Sequence, residues 1–344
     1  MKAICTITFF LLSSAVAVAQ LLAPHTLYRD YWNVINPASV SNNHIINEYN
    51  FTIGLSNRHQ WIADGINFDV SPNTQLLNAE YVNTNNNIVL GGYLMRDRIG
   101  ALSSTGAYFN FAYQIALDYR KSRRFSVGLS AGFLQDYSGI SGSDQQYFLI
   151  PENDIIPMRA WRPDFNVGVF YYHSDIFYIG LSAPQLLGLT TQFSNSNMEG
   201  FAIKRPRHFY AIGGGYIPFD FFGLGDESSF LELSSWVRYT PFRAQNGSYT
   251  HHKFRIDGNI RYLHNQIFWA GVGIGAAFPP FEEESTATTF FPMIGHVEIG
   301  FLAGEGLDLM DSQLKIGMAI DFQMAGKLRQ LGPSAELSLA YSWY

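Results

Sequence analysis

Apolar side chains alternate with polar or very small ones along most of the chain after residue 47. Between residues 49 and 56 the apolar set is Tyr49, Phe51, Ile53 and Leu55, and the intervening set is Asn50, Thr52, Gly54 and Ser56. A period of two is that of a β-strand, whose successive side chains point to opposite faces. One apolar and one polar face, repeated from segment to segment, is typical of a barrel wall between lipid and a polar interior.

The alternation recurs in fourteen segments, and an even number of strands is the rule for bacterial outer-membrane barrels. Most segments approach the length of about 9–11 residues that a tilted strand needs to cross a membrane. The predicted strands are 48–58, 73–82, 88–95, 104–118, 124–136, 164–174, 176–182, 207–217, 229–240, 252–262, 266–277, 289–302, 312–324 and 333–343.

The connections between these strands alternate in length, which is evidence independent of the side-chain alternation. Those after even-numbered strands are mostly short and the longest follow odd-numbered ones, as outer-membrane barrels combine short periplasmic turns with longer external loops. The short ones include 83–87, 119–123, 173–175 and 263–265, and the longest are 137–163 and 183–206. We therefore predict an all-β fold, an antiparallel transmembrane β-barrel of about 14 strands over residues 48–344.

The N-terminal 19 residues have the pattern of a cleavable signal peptide. Lys2 precedes an apolar core, and Ala17-Val18-Ala19 has the small-x-small form of a cleavage site. We expect cleavage before Gln20 and export to the outer membrane of a bacterial cell. Residues 20–47 then form an N-terminal segment, for which a plug inside the barrel and a periplasmic strap both stay open.

Composition and motifs exclude several classes of function. The net charge of −6 argues against a nucleic-acid partner, and the single cysteine, Cys5, lies in the signal peptide. The histidines show no metal-ligand spacing, so we expect neither a metal nor a cofactor. The run Gly128-Leu129-Ser130-Ala131-Gly132 fits the Gly-x-Ser-x-Gly pattern of hydrolases. That chemistry needs a turn between strand and helix, whereas this run lies inside an alternating strand, so no enzyme is predicted.

Two groups of charged residues are candidate functional sites. Arg120, Lys121, Arg123 and Arg124 cluster in a predicted periplasmic turn, where they can contact lipid headgroups or dock an acidic periplasmic partner. The second group occupies positions on the lumen face of the strands and contains both signs. These charges can pair across the lumen and fill it, or line a wet pore. They are Glu232, Arg238, Arg255, Asp257, Arg261, Lys315, Asp321 and Glu336.

Several runs of residues, in order along nearly the whole mature chain, resemble a known family. They are Asn36-Pro37-Ala38, Arg58-His59-Gln60-Trp61, Arg96-Asp97-Arg98-Ile99-Gly100, the run from Pro163 to Tyr172 and the run from Phe177 to Pro184. This series is similar to the PorP/SprF family of the type IX secretion system.

The resemblance implies a non-enzymatic outer-membrane barrel that has no catalytic residues to transfer. Its implied partners are outer-membrane lipid, components of the secretion system including a periplasmic peptidoglycan-binding lipoprotein, and secreted surface proteins such as adhesins. The implied role is secretion or surface attachment of such cargo, with a link to gliding motility. The alternative is a FadL-like or porin-like channel for small solutes, because FadL-type channels also have fourteen strands and an Asn-Pro-Ala stretch in an N-terminal plug.

Overall fold

A computed structural model describes residues 25–62, 71–100, 102–138, 158–174, 176–195, 198–221, 229–243, 250–278, 281–283, 288–290, 293–304, 311–324 and 332–344. The predicted signal peptide lies outside these residues. Fourteen strands form one closed antiparallel barrel, and two further pairs of strands form separate hairpins. No helix among the described residues is long and apolar enough to cross a membrane.

The barrel strands are numbered in chain order together with the hairpin strands. The barrel consists of β1 (Phe51–His59), β2 (Asn73–Asn83), β3 (Ile88–Ile99), β4 (Leu102–Ala116), β5 (Arg123–Ser138), β6 (Met158–His173), β7 (Phe177–Ala183), β10 (Phe209–Pro218), β11 (Phe230–Arg243), β12 (Thr250–His264), β13 (Phe268–Phe278), β16 (Met293–Ala303), β17 (Ser312–Gln323) and β18 (Ser334–Trp343). The hairpins are β8 (Thr190–Asn195) with β9 (Met198–Lys204), and β14 (Phe281–Glu283) with β15 (Thr288–Phe290). Residues 25–50, the described part of the chain before β1, contain three short helical elements: a 3-10 turn at Tyr28–Asp30, and α-helices at Trp32–Ile35 and Asn42–Asn47.

The predicted fold is confirmed, and each of the fourteen predicted segments overlaps one barrel strand. The prediction was wrong about the connection between β3 and β4. It placed a loop at 96–103, but the strands run on to Ile99 and from Leu102. Gly100 has a positive φ of 56°, which permits a tight turn there.

The alternation places apolar side chains outside and polar or small ones inside. On β4, Phe111 is 45% exposed and points outward, whereas its neighbour Asn110 is 3% exposed and points inward. Because outward-facing side chains of a membrane barrel meet acyl chains, their exposure is the expected pattern for a lipid-facing wall.

The barrel closes between its first and last strands. β1 pairs with β18 over its whole length, from Phe51 opposite Trp343 to His59 opposite Ala335. At one end of this seam the ring of Phe51 stacks between Tyr81 and Trp343. The aromatic C-terminal strand thus completes the wall rather than extending beyond it.

Neighbouring strands differ most in length at β6 and β7. β6 has 16 residues and β7 has 7, so β7 pairs only with the part of β6 from Val167 to His173. The N-terminal part of β6, before Val167, is instead flanked by the connection that contains β8 and β9. There Leu186 N donates to Phe165 O. This connection lies at the end of the barrel with the longer loops, which is the external end by the rule for such barrels.

Candidate functional site

Residues 25–47, here called the inner segment, lie inside the barrel. Tyr28, Trp32, Ile35 and Ala38 are each at most 3% exposed. They pack with inward-facing wall residues that include Val82, Val89, Ala112, Phe170, Tyr178 and Trp236. An apolar core therefore fills part of a lumen that is otherwise lined by polar side chains.

The inner segment runs from the long-loop half of the barrel to the rim with the short turns. Near its start, Thr26 N donates to Glu336 Oε2 at 2.7 Å, close to the long-loop end of β18. Near its end, Asn43 Nδ2 donates to Ser342 Oγ at 2.7 Å, at the short-turn end of the same strand. Glu48 follows with a positive φ of 59°, and the chain then enters β1.

The Asn36-Pro37-Ala38 run joins the inner segment to the wall. Asn36 Nδ2 donates to the backbone oxygens of Val169 and Leu181, at 3.0 and 3.3 Å, and so bridges β6 and β7. Asn36 Oδ1 accepts from Ala38 N at 2.9 Å, which fixes the turn that follows. One side chain therefore fixes both the wall contact and the local conformation of the segment.

Wall glycines make room for this run. A methyl group on Gly128 would overlap the backbone of Pro37 and Ala38, and one on Gly168 or Gly180 would overlap Asn36. The absence of a side chain at these positions lets the inner segment approach the wall backbone.

A first buried cluster of charges, the Arg29 cluster, surrounds the first turn of the inner segment. Arg29 pairs with Glu298, and its Nε lies 3.8 Å from Glu232. Lys315 pairs with Asp30, and Arg261 Nε lies 3.3 Å from Glu298 with its guanidinium over the Trp269 ring. The cluster contains three charges of each sign: Arg29, Arg261 and Lys315 with Asp30, Glu232 and Glu298.

A second set of ion pairs lies nearer the long-loop end. Arg58 pairs with both Asp321 and Glu336, and so links β1 to β17 and β18. Asp257 accepts from two arginines, Arg238 at 2.5 Å and Arg255 at 3.1 Å. This set also balances, with three arginines against three carboxylates. Such pairing allows the charges to stay buried, since an unpaired buried charge is strongly destabilising.

A third group anchors the external connection between β7 and β10, residues 184–208, here called the external arm. Asp136 pairs with Arg162 of the wall and with Arg205 of the arm. Gln185 N donates to Asn166 Oδ1, and His208 Nδ1 lies 2.9 Å from Thr240 Oγ1. The two ends of the arm are thus held inside the barrel mouth, and the hairpin of β8 and β9 lies between them.

The structure places all eight predicted lumen charges in the barrel interior and brings them into the first two clusters. Sequence reasoning missed several of their partners. Arg58 and Glu298 lie at inward-facing positions of their strands, as does Asp136 of the third group, so the alternation could have found them. Arg29 and Asp30 lie in a segment without strand periodicity, and no sequence signal indicated them.

The predicted basic cluster divides between two environments. Arg120 and Lys121 are exposed in the turn between β4 and β5, next to a fully exposed Tyr119, and Arg123 is exposed where β5 begins. Arg124 is 4% exposed and points into the barrel, where it donates to Gln114 Oε1 at 3.1 Å. Arg124 is the second residue of β5 and lies on the same inward face of the strand as Ser126, so it does not join the other three.

The basic turn is internally braced. Asp118 accepts from the Ser122 hydroxyl at 2.6 Å and from Arg123 N at 2.8 Å, and these two bonds hold the pKa of its carboxyl below its usual range. Ser122 O in turn accepts from Ser174 N of the neighbouring turn at 2.8 Å. The three exposed cations therefore project from a defined turn.

The arrangement of side chains is that of a scaffold with paired interior charges. Ser130 of the Gly-x-Ser-x-Gly run lies in the middle of β5 and is buried. No group of His, Cys, Asp and Glu within the described ranges could hold a metal ion.

Solved structures with a similar fold are outer-membrane proteins of low sequence identity. The CymD monoaromatic hydrocarbon channel aligns with a TM-score of 0.50 and 9% identity, covering 90% of this chain and 94% of that one. A Pseudomonas aeruginosa FadL homologue aligns with a TM-score of 0.47 and 8% identity, covering 90% and 92%. At such identities the likeness concerns the fold alone.

Sequence comparison identifies the family. A search of curated proteins found no match. The family model described as type IX secretion system membrane protein PorP/SprF matches residues 17–341. The match covers the inner segment, every barrel strand up to β18 and the external arm. The chain therefore belongs to the PorP/SprF family of type IX secretion system membrane proteins.

Proposed function

We propose that this outer-membrane barrel is a non-enzymatic part of the type IX secretion system that supports the secretion or surface attachment of large proteins such as adhesins, including those used in gliding. The observation that carries the proposal is the anchored external arm. Binding residues of many proteins lie on loops that a rigid scaffold positions. Here the wall and the filled interior are the scaffold, and the arm is the presented element.

The anchoring of the arm supports the proposed binding role, because an arm that is already ordered loses less conformational entropy when a partner binds. Arg205 is buried, and its guanidinium contacts both Asp136 and Ser104 Oγ. Arg162 donates to Leu189 O at 3.1 Å, near the start of the hairpin. These contacts fix the two ends of the arm. A partner that binds the hairpin therefore does not lose binding free energy to ordering the residues that join the hairpin to the barrel.

The test is to replace residues 190–204 with a short Gly-Ser linker and to leave Arg205 and Gln185 in place. We expect the barrel to assemble and to stay heat-modifiable on detergent gels, while surface proteomics shows the loss of one or a few surface proteins. The same replacement at residues 281–290, in the other external hairpin, is the matched control.

Two outcomes would contradict the proposal. Surface proteins that stay unchanged in a deletion strain would remove the secretion role. If such a strain instead lost uptake of a hydrophobic nutrient, a FadL-like channel would be favoured.

At the opposite end of the barrel, the exposed basic turn is the docking site we propose for a periplasmic component. Arg120, Lys121 and Arg123 present three cations beside Tyr119, which suits an acidic protein surface. A peptidoglycan-binding lipoprotein of the secretion system is the partner proposed from the family. Arg124 is left out of this site because it is buried.

A further inference from the structure

We propose that the barrel interior is a binding site whose ligand is the inner segment, and that the wall without this segment is an open pore. The segment then leaves and rebinds as one unit while the wall stays folded. This activity goes beyond the proposed function, which rests on the external arm and on surface proteins.

The wall has the shape of a receptor for the segment. Gly128, Gly168 and Gly180 lie where a side chain would overlap Asn36, Pro37 or Ala38. These three interior positions accept the segment because they lack a side chain. Gly258 of β12 faces outward, where a methyl group would meet nothing within 4 Å, and is the matched control.

The charges permit separation of the two parts. In the Arg29 cluster the wall contributes Arg261 and Lys315 with Glu232 and Glu298, which sum to zero. The segment contributes Arg29 and Asp30, which also sum to zero. Withdrawal therefore leaves no net charge in either part, and water entering the lumen can solvate the groups that lose a partner.

The wall does not need the segment for its backbone hydrogen bonding. All fourteen barrel strands pair with other barrel strands in a closed order, and the segment adds no strand to it. The segment contacts the wall through side chains: by apolar packing around Trp32, by the ion pairs of Arg29 and Asp30, and by hydrogen bonds such as those of Asn33 to Ala79 O and of Tyr216 to Asn42. A closed sheet satisfies its own backbone groups, so losing these contacts leaves the barrel intact.

The covalent connection determines the direction of withdrawal. The segment is joined to β1 through Glu48 at the short-turn end, and Tyr344 Oη donates to Asn47 O there at 2.9 Å. The opposite end of the segment carries Thr26, which is held by Asp321 and Glu336. Release of the Thr26 and Arg29 contacts, followed by separation of the apolar packing around Trp32, lets the segment swing out toward the periplasm on its tether.

The experiment is conductance of the purified barrel in planar lipid bilayers. The mature chain lacking residues 25–47 should show stepwise conductance roughly tenfold or more above that of the full mature chain, as a water-filled barrel of this size allows. Synthetic peptide 25–47, added on the short-turn side, should block this current. The same peptide with Arg29→Glu places a carboxylate against Glu232 and Glu298 and should not block.

A folded, heat-modifiable deletion variant without added conductance would overturn the proposal, and so would a current that peptide 25–47 leaves unchanged. If the deletion variant does not assemble, Gly128→Leu and Gly258→Leu in the full chain decide the matter. The first should displace the segment and raise conductance, and the second, on the lipid face, should not. Equal conductance of the two variants would refute the idea. Because surface proteins are not measured here, this result is independent of the secretion proposal.

Discussion

At the scale of single residues, the side of the wall on which a side chain lies decides the effect of a substitution. Phe111 points outward, and Phe111→Arg places a cation among acyl chains at a cost of about 2–4 kcal/mol near the bilayer midplane. Phe111→Leu keeps the surface apolar and should have little effect. Urea titration of folding into liposomes measures both. Equal stability of the two variants would mean that this face does not meet lipid.

For a charged side chain that points into the barrel, the stability lost on substitution depends on how many buried partners it leaves without a counter-charge. Arg58 is the shared partner of Asp321 and Glu336, so Arg58→Met leaves two buried carboxylates and should destabilise the barrel by about 3–5 kcal/mol. Arg255 is the matched control, since its side chain is 28% exposed and Asp257 keeps Arg238 when Arg255 is removed. Arg255→Met should cost about 1 kcal/mol or less. The same urea titration compares them, and similar losses would argue against the role of Arg58 as a hub.

Among the structural elements, the basic turn between β4 and β5 provides a separate prediction. Reversing Arg120, Lys121 and Arg123 to Glu should abolish copurification of the periplasmic partner without loss of the heat-modifiable barrel.

The bonds from Ser122 and Arg123 favour the charged form of Asp118, because they lower its pKa. Their contribution is therefore complete above the usual Asp range and is lost as pH falls through the lowered pKa.

The control for this turn is Asp118→Asn, which keeps the three cations and weakens the brace. We expect partner binding to become weaker but not to disappear. Unchanged copurification by the charge-reversed turn would place the docking site elsewhere.

The elements also show what sequence alone can reveal. The strands were predictable because alternation is local and each strand repeats it. The inner segment was not placed, because its partners are distant: Thr26 and Glu336, which are hydrogen-bonded, are 310 residues apart. The same holds for the external arm, whose anchor Arg205 meets Asp136 across the barrel mouth. Parity indicates which way a wall residue points, but not which residue it meets across the lumen.

For the whole molecule, three regions are held by largely separate contacts. The wall is built from backbone pairing that closes on itself. The interior is held by an apolar core, by balanced charges and by the Asn36-Pro37-Ala38 contacts, whereas the external arm is held by Asp136. Because few groups are shared between these regions, a change in one should leave the others functional. That separation makes it possible to test the secretion role and the pore independently.

Hydrogen exchange should reveal the separation directly. The inner segment is joined to the wall mainly by side chains, so its amides at Val34, Asn36 and Ile45, which are bonded within the segment, should exchange together when it withdraws. Amides in the middle of β4 and β5, which pair on both sides, should exchange much more slowly. Gly128→Leu should speed exchange in the segment alone, and Gly258→Leu should not. If segment and wall amides exchanged at one common rate, the segment would be an integral part of the barrel core, and withdrawal without unfolding of the wall would be ruled out.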